Sequence, residues 1–335
     1  MTIDVEKKEI RAVALTPIVQ QTAFWAEVKS YQGIESKAFD FKVKNSEVYV
    51  DDLTKTSTYA DLLILQQALN KDTSIAYVPY GPELEPSEEV QGEFLEELSE
   101  ILRSYLPKSC IGIRYDLAWQ SHWDKPENYN ESNTWEGPPD RKYQEFRLNY
   151  NTNNWNLKRA NSDILPAHTV YLDLIPDEQT LLARMKPKTR YNIHLAARKG
   201  VTVRRAGMEE LPLWYKLYSD TAQRNGIFLN DIEYFKSVLA AKADDTLSPA
   251  TVELLLAEKD GEALAAIFLV LSGNRGTYLY GASSSQHRNC MPTYALQWEA
   301  IRIAKASGCT EYDMFGVSPG PEPSHPMYGL YKFKM

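Results

Sequence analysis

The sequence predicts a mixed α/β protein folded as two domains. Three observations point there. A chain of 335 residues is longer than one hydrophobic core usually organises. Segments with the two-residue period of strands alternate with segments of helical period along its whole length. One order of elements, a run of strands, then a helix, then another strand, is clear in the second half and fainter in the first.

Residues 30–50 alternate unevenly and end in FKVKNSEVYV, which predicts a pair of hairpin strands around Asn45. Leu62 to Leu69 is an apolar run that fits a strand or a helix. Residues 75–84, IAYVPYGPEL, read as a strand closed by a Pro-Gly-Pro turn. Between Pro86 and Leu106, Phe94, Leu95, Leu98, Ile101 and Leu102 recur at helical spacing with acidic residues opposite. CIGIRYDLAW (110–119) is a short strand, and 122–154, rich in Asn, Pro and Trp, reads as a long loop. A strand at 168–174 and a helix from Asp177 to Met185 follow. A helix over 190–200 closes on Gly200, a strand VTVRRA comes next, and then a helix from Leu213 to Arg224. The clearest stretch is 251–283, where TVELLLAE, ALAAIFLVLS and TYLYGASS are joined by the tight turns KDGE and GNRG. A helix from Thr293 to Ser307 and a strand EYDMFG complete the second half. This order is that of an acetyltransferase-like (GNAT) domain. The predicted class is therefore α/β (α+β), with two tandem GNAT-like domains.

Composition narrows the function. The net charge of −8 excludes a surface that recruits nucleic acid as a whole, so any RNA contact needs a local basic patch. The start MTIDVEKKEI lacks the apolar core of a signal peptide, and no stretch has the length of an apolar membrane span. The expectation is a cytoplasmic protein. Cys110, Cys290 and Cys309 lack ligand spacing and the five histidines are scattered, so no metal site is predicted.

Lys186, Lys188, Arg190, Arg198, Lys199, Arg204 and Arg205 place seven cations between residues 186 and 205. A basic helix opened by proline offers fixed cations and N-terminal N–H groups to phosphate oxygens; it can equally be a solvated face. Tyr191 and Asn192 are interleaved as stacking and hydrogen-bonding groups. Tyr278 and Tyr280 alternate on one strand and are expected on the same face of the sheet. Asp116 ends the strand IRY with a carboxylate, a candidate base for an attacking amine or a turn-stabilising group. In acetyltransferases that use coenzyme A, the loop after the third meander strand is glycine-rich. Here GASSSQHRNCMP carries Gly281, then Arg288 and Asn289, which leaves room for a bulkier donor. Tyr294 and Gln297, three apart at the start of the next helix, share a face.

Three stretches carry a resemblance: MKPKTRYNIHLAARKGVTVRRA (185–206), YLYGASSSQHRNCMPTYALQWEAIRIAKASGCTEYDMFGV (278–317) and HPMYGLYKFK (325–334). With FWAEVK, AYVPYGPEL, IRYDLAW and NWNLKRA in the same order, the chain resembles the FemABX family of peptidoglycan bridge-forming aminoacyltransferases, in its armless, FemX-like branch. The resemblance implies a first domain of residues 1–165 plus 320–335 and a second of 166–319, with no helical-hairpin arm. It implies aminoacyl-tRNA as donor and co-substrate and no other cofactor. The implied acceptor is an amine of a peptidoglycan precursor, lipid-linked or UDP-linked, met through peripheral contact with a membrane. Lys334, in GLYKFK, matches a family lysine in or near the substrate cleft, where its charge can stabilise an oxyanion. Lys29 matches a position that meets the acceptor's phosphates. The family's partner arginine is replaced by Asn230, which shifts acceptor binding toward Lys29 and Tyr234. Tyr278 and Tyr280 match aromatics beside the cleft, and Arg288 and Tyr294 join them as substrate-binding candidates. Lys186, Lys188, Arg190 and Arg198 are the candidates for donor phosphates. The family continues beyond this motif with a glycine-rich strand, which predicts a less anchored Lys334 here.

An aminoacyl ester is already activated, so transfer needs no nucleophilic side chain, and no nucleophile-elbow or Cys–His signature is found. Two readings compete: an acyl-coenzyme-A N-acyltransferase on the same fold, and a non-catalytic RNA- or glycan-binding module.

Overall fold

The computed structural model describes residues 1–51, 54, 56–120, 148–226 and 229–335. Contacts divide the chain into two units. The first comprises Met1–Ala14, Gln20–His168 and Gly316–Met335, and the second Leu15–Val19 and Thr169–Phe315.

In the first unit a five-stranded sheet runs β1 (Ile3–Lys8), β2 (Glu35–Lys44), β3 (Ser57–Ala68), β4 (Ser74–Pro79) and β5 (Cys110–Asp116) in sequence order. The pairs are antiparallel until β4–β5, which is parallel and joined through helix α3 (Gln91–Arg103). Helix α1 (Ala23–Ser30) sits between β1 and β2, its start capped by Thr22, whose Oγ1 accepts from the Trp25 N–H. The hairpin expected at Asn45 is not formed. Strand β2 ends at Lys44, and Asn45–Val48 make a four-residue helical turn, α2, in which Asn45 Oδ1 accepts from Thr58 Oγ1 at 2.7 Å. The ambiguous run at 62–69 belongs to strand β3. The amphipathic face of α3 lays Phe94, Leu95, Leu98 and Leu102 on Phe39, Phe41, Leu62 and Ile64. Each such burial contributes about 1.5–3 kcal/mol. The loop expected at 122–154 lies mostly outside the described residues. Its described end is tied down by buried Glu96, which accepts from the N–H groups of Asn153 and Asn154 at 2.5 and 2.8 Å.

The second unit repeats the order. Strand β6 (Tyr171–Asp173), helices α4 (Glu178–Arg184) and α5 (Pro187–Arg198) and strand β7 (Thr202–Ala206) come first. Helices α6 (Leu211–Asn225) and α7 (Ile232–Ala240) follow, then the meander β8 (Thr251–Lys259), β9 (Glu262–Ser272) and β10 (Arg275–Ser283). Helix α8 (Pro292–Ala306) crosses over to β11 (Glu311–Asp313), parallel to β10. The sheet order is β6-β11-β10-β9-β8-β7. In both units a strand, helix, three antiparallel strands, a crossover helix and a parallel strand follow one another, the GNAT-like arrangement. The turn after β8 places Asp260 and Gly261 at φ of 52° and 81°, as a tight hairpin of matching twist requires. Gly276 lets α8 approach the sheet, since a Cβ there would stand 2.7 Å from that of Ala304. Strand β9 is buried on both faces, so it reads as a continuous apolar run. Helix α9 (Tyr328–Lys334) belongs to the first unit. Among the described residues no helix is long and apolar enough to cross a membrane, and none is longer than 15 residues.

Candidate functional site

The candidates divide between the units: Lys29, Asp116 and Lys334 in the first, the remainder in the second.

Asp116 closes β5, where parallel pairing sets it beside Pro79 of β4. Its Oδ2 accepts from Tyr77 Oη at 2.8 Å and from the Leu165 N–H at 2.9 Å, while Oδ1 faces Arg114 Nε and Nη2 at 3.4 Å. Arg114 in turn donates to Ser162 O. A carboxylate has about four acceptor positions, and all four are used here. Burial first, then the bond to Asp116, raises the Tyr77 phenol far above its usual range. Arg114 must therefore give way before Asp116 can take a proton from an incoming amine. Tyr77 and Arg114 were not singled out by sequence; parallel pairing of their two strands is what brings them to the carboxylate.

Lys29 lies half-buried on α1, with Nζ 4.9 Å from the Trp25 ring centroid and donating to Gln32 Oε1 at 3.1 Å. Desolvation lowers its pKa to about 8. Lys334, half-buried at the end of α9, is anchored rather than loose: its Nζ donates to Gly316 O at 2.6 Å.

In the second unit Tyr234, on α7, and Tyr280, on β10, meet through a short hydroxyl–hydroxyl hydrogen bond. Behind them Trp214, Tyr218, Phe235 and Phe268 form an edge-to-face aromatic cluster, with Trp214 4.8 Å from Phe268 and Tyr218 4.7 Å from Phe235. Burial pushes the Tyr234 phenol up to about 12 and holds that of Tyr280 well above its usual value. Both are neutral hydrogen-bonding groups at any physiological pH.

Tyr278 does not share that face, contrary to the expectation from alternation. The β9–β10 register runs Tyr278 with Leu269 and then Tyr280 with Phe268, so Leu279 is an extra residue. This bulge turns Tyr278 to the opposite face, onto the core of Leu269, Leu255 and Ile267. Its hydroxyl lies where a Cβ on Gly281 would stand. A period-two pattern cannot reveal a bulge.

Of the basic segment, Arg190 Nη1 donates to the carbonyls of Ala183 and Met185, capping the end of α4. Arg204 pairs with Glu210 and Glu258, and Arg205 with Glu253. Lys186, Lys188, Arg198 and Lys199 are exposed, and Arg198 lies over the exposed Tyr191 ring at 5.5 Å. Asn192 is buried. Tyr294 is half-buried near the start of α8, whereas Gln297 is buried and accepts from Tyr312 Oη at 2.8 Å. Arg288 is exposed on the loop between β10 and α8.

The FemAB family profile matches residues 15–248 and 249–335. The chain belongs to the FemAB family. Among its relatives is the Lipid II:glycine glycyltransferase of Staphylococcus epidermidis, 25% identical over 228 residues, covering 51% of this chain and 55% of that protein. The Staphylococcus aureus enzyme of the same name is 24% identical over 233 residues with the same coverage. The chain thus spans about half the length of the curated relatives it matches. A crystal structure of FemX superposes with a TM-score of 0.66 over 98% of this chain and 93% of that one, at 18% identity. That likeness establishes a shared fold.

Proposed function

We propose that this FemAB protein is an aminoacyltransferase that moves a small amino acid from aminoacyl-tRNA to an amine of a peptidoglycan-precursor stem peptide, building an interpeptide bridge. The observation that supports it most is that its relatives are Lipid II:glycine glycyltransferases.

In the proposed reaction the acceptor amine attacks the ester carbonyl carbon. The ester bond to the ribose oxygen breaks, that oxygen takes a proton, and the amine loses one. Orientation of the two substrates alone can supply about 7 kcal/mol or more of the barrier. Lys334 stabilises the developing oxyanion, a role its fixed bond to Gly316 O suits because the charge is positioned beforehand. Asp116 holds the end of β5 through Tyr77, Leu165 and Arg114, and the amine proton leaves to water or a substrate phosphate. Lys29 contributes to acceptor phosphate binding. The Tyr234–Tyr280 pair offers neutral hydroxyls to the substrate, and Lys186, Lys188 and Arg198 meet donor phosphates. The protein works in the cytoplasm and reaches a lipid-linked acceptor by peripheral contact.

The test is single-turnover transfer from tRNA charged with labelled Gly, Ala or Ser, offered to lipid-linked and UDP-linked precursors, with acetyl-coenzyme A as a parallel donor. Labelled muropeptide from one charged tRNA is the expected product. Product from acetyl-coenzyme A alone would assign the chain to coenzyme-A-dependent acylation instead.

A further inference from the structure

Residues 148–157, LNYNTNNWNL, take no part in the site described above. They hold two aromatic residues, five asparagines and no charged side chain. The segment is pinned at its ends and in its middle. Buried Asn149 donates from Nδ2 to Leu157 O at 2.9 Å and accepts at Oδ1 from the Leu157 N–H at 3.1 Å, which closes a loop. Thr152 donates to Asn149 O from its hydroxyl at 2.7 Å and from its N–H at 3.1 Å. The two carboxylate oxygens of buried Glu96, on α3, take the consecutive N–H groups of Asn153 and Asn154. Leu157 packs against the core of the first unit, and Gly92 leaves Leu148 O the space that a Cβ would fill.

This framework leaves the aromatic residues in water. Tyr150 is 55% exposed and Trp155 51%. Asn151 and Trp155 stand at φ of 63° and 50°. Asn tolerates the left-handed region, but a bulky residue there is strained and persists only where its surroundings fix it. A buried carboxylate and a buried amide thus hold a strained backbone whose result is an exposed tryptophan. Asn151, Asn153, Asn154 and Asn156 are exposed too, and among the described residues none of their side-chain amides bonds to protein. A pyranose ring has an apolar face of C–H groups and a rim of hydroxyls. An aromatic ring covers the first, and an amide, with two donors and an acceptor, meets the second. An N-acetyl group adds a secondary amide, which a primary amide matches through one donor and one acceptor. A nucleic acid would need cations, and the segment contains none; Lys158 and Arg159 only follow it.

We propose that the 148–157 loop is a saccharide-binding surface for N-acetylated hexosamines, in which Tyr150 and Trp155 take the apolar sugar face and the exposed asparagines its hydroxyl and acetamido groups. The assignment rests on the transfer reading only for which glycan is met.

The experiment is titration calorimetry on the full chain with N,N′,N″-triacetylchitotriose as probe. The wild type binds it, and Trp155→Ala and Tyr150→Ala each weaken it by about tenfold or more, as truncation of an aromatic anchor predicts. Cellotriose, which lacks the acetamido groups, binds more weakly by about fivefold or more, as loss of a hydrogen bond predicts. Should Trp155→Ala shift the urea midpoint, Trp155→Gly decides, since glycine adopts the left-handed backbone without strain. No trisaccharide binding at millimolar concentration, or affinities of wild type and both variants within about twofold, overturns the site. Equal affinity for cellotriose overturns the acetamido assignment. An unmoved trisaccharide affinity with a fall in that for a tRNA acceptor-stem minihelix would give the rings to bases instead. UDP-linked muropeptide and soluble glycan strands of finished peptidoglycan are titrated in parallel, and the one whose affinity falls in Trp155→Ala names the source. A loss confined to the trisaccharide overturns the site as binding at probe concentration only. Because binding is read without turnover, a failed transfer assay with trisaccharide binding intact sinks the transfer reading alone.

Discussion

Asp116 separates anchoring from proton transfer when two substitutions are compared. Its side chain is only 9% exposed, so its donors have no water to fall back on. Asp116→Ala strands Tyr77 Oη and the Leu165 N–H, each bonded at 2.8–2.9 Å in the native protein. An unsatisfied buried donor costs about 1–3 kcal/mol, so the variant should lose about 2–6 kcal/mol. Asp116→Asn keeps one oxygen for both of these donors and turns its amide toward Arg114. Both 3.4 Å contacts with that guanidinium are lost, and Arg114 retains Ser162 O. That change should cost about 1.5–3 kcal/mol, the range for hydrogen bonding to a charged group. Urea denaturation gives the stabilities, and single-turnover transfer the rates. If Asp116 is an anchor, Asn lowers the rate less than about tenfold and Ala lowers it together with stability. A general base contributes about 10²–10⁴-fold. A fall of that size in Asp116→Asn, with an unchanged urea midpoint, would refute the anchoring argument.

Lys334→Ala should lower the transfer rate far more than acceptor affinity, checked by comparing single-turnover rate with equilibrium binding; equal losses would reassign it to substrate phosphates. Lys29 should react with an amine-directed acylating reagent with a midpoint near pH 8 instead of the usual 10.5. The folded state holds fewer protons than the unfolded one between those values. Stability therefore rises with pH across that window and is flat below it, and Lys29→Met should abolish the slope. Gly92→Ala places a Cβ 1.8 Å from Leu148 O, a backbone atom that cannot turn aside. It should destabilise by about 1–3 kcal/mol in urea despite the better helix propensity of Ala. Gly281→Ala drives into the hydroxyl end of the half-buried Tyr278 and should lower the thermal midpoint, with Tyr278→Ala in the same chain restoring part of the Gly281 loss.

Much of the fold was legible because its signals are local. The turns KDGE and GNRG fixed the meander, the spacing of Phe94, Leu95, Leu98 and Leu102 fixed α3, and Gly200, at φ 78°, ended α5. Helix α7 went unread although Asp231 caps it by accepting from the Tyr234 N–H at 2.8 Å; an Asp before an apolar run was the available signal. The basic segment was legible as charge but not as function. Arg204 and Arg205 find Glu258 and Glu253 only because β7 pairs with β8, about fifty residues on. Arg190 meets the carbonyls of α4 through a bend that local charge does not encode. The bulge at Leu279 was invisible for a similar reason: its effect exists only in register with β9.

The first unit gathers residues 1–14, 20–168 and 316–335, while residues 15–19 belong to the second. The two are stitched through each other along the chain. Ser272 Oγ donates to Thr16 O at 2.8 Å across 256 positions, and Lys334 reaches back to Gly316. A nascent chain emerging N-terminus first therefore cannot finish either unit early. The second waits for β9 before residues 15–19 have a place to dock, and the first stays unfinished until residues 316–335 have left the ribosome. No single peptide cleavage yields two fragments that each hold a whole unit. Dissecting this protein calls for permuted or co-expressed pieces, and its folding is bound to be slow where these long-range closures form last.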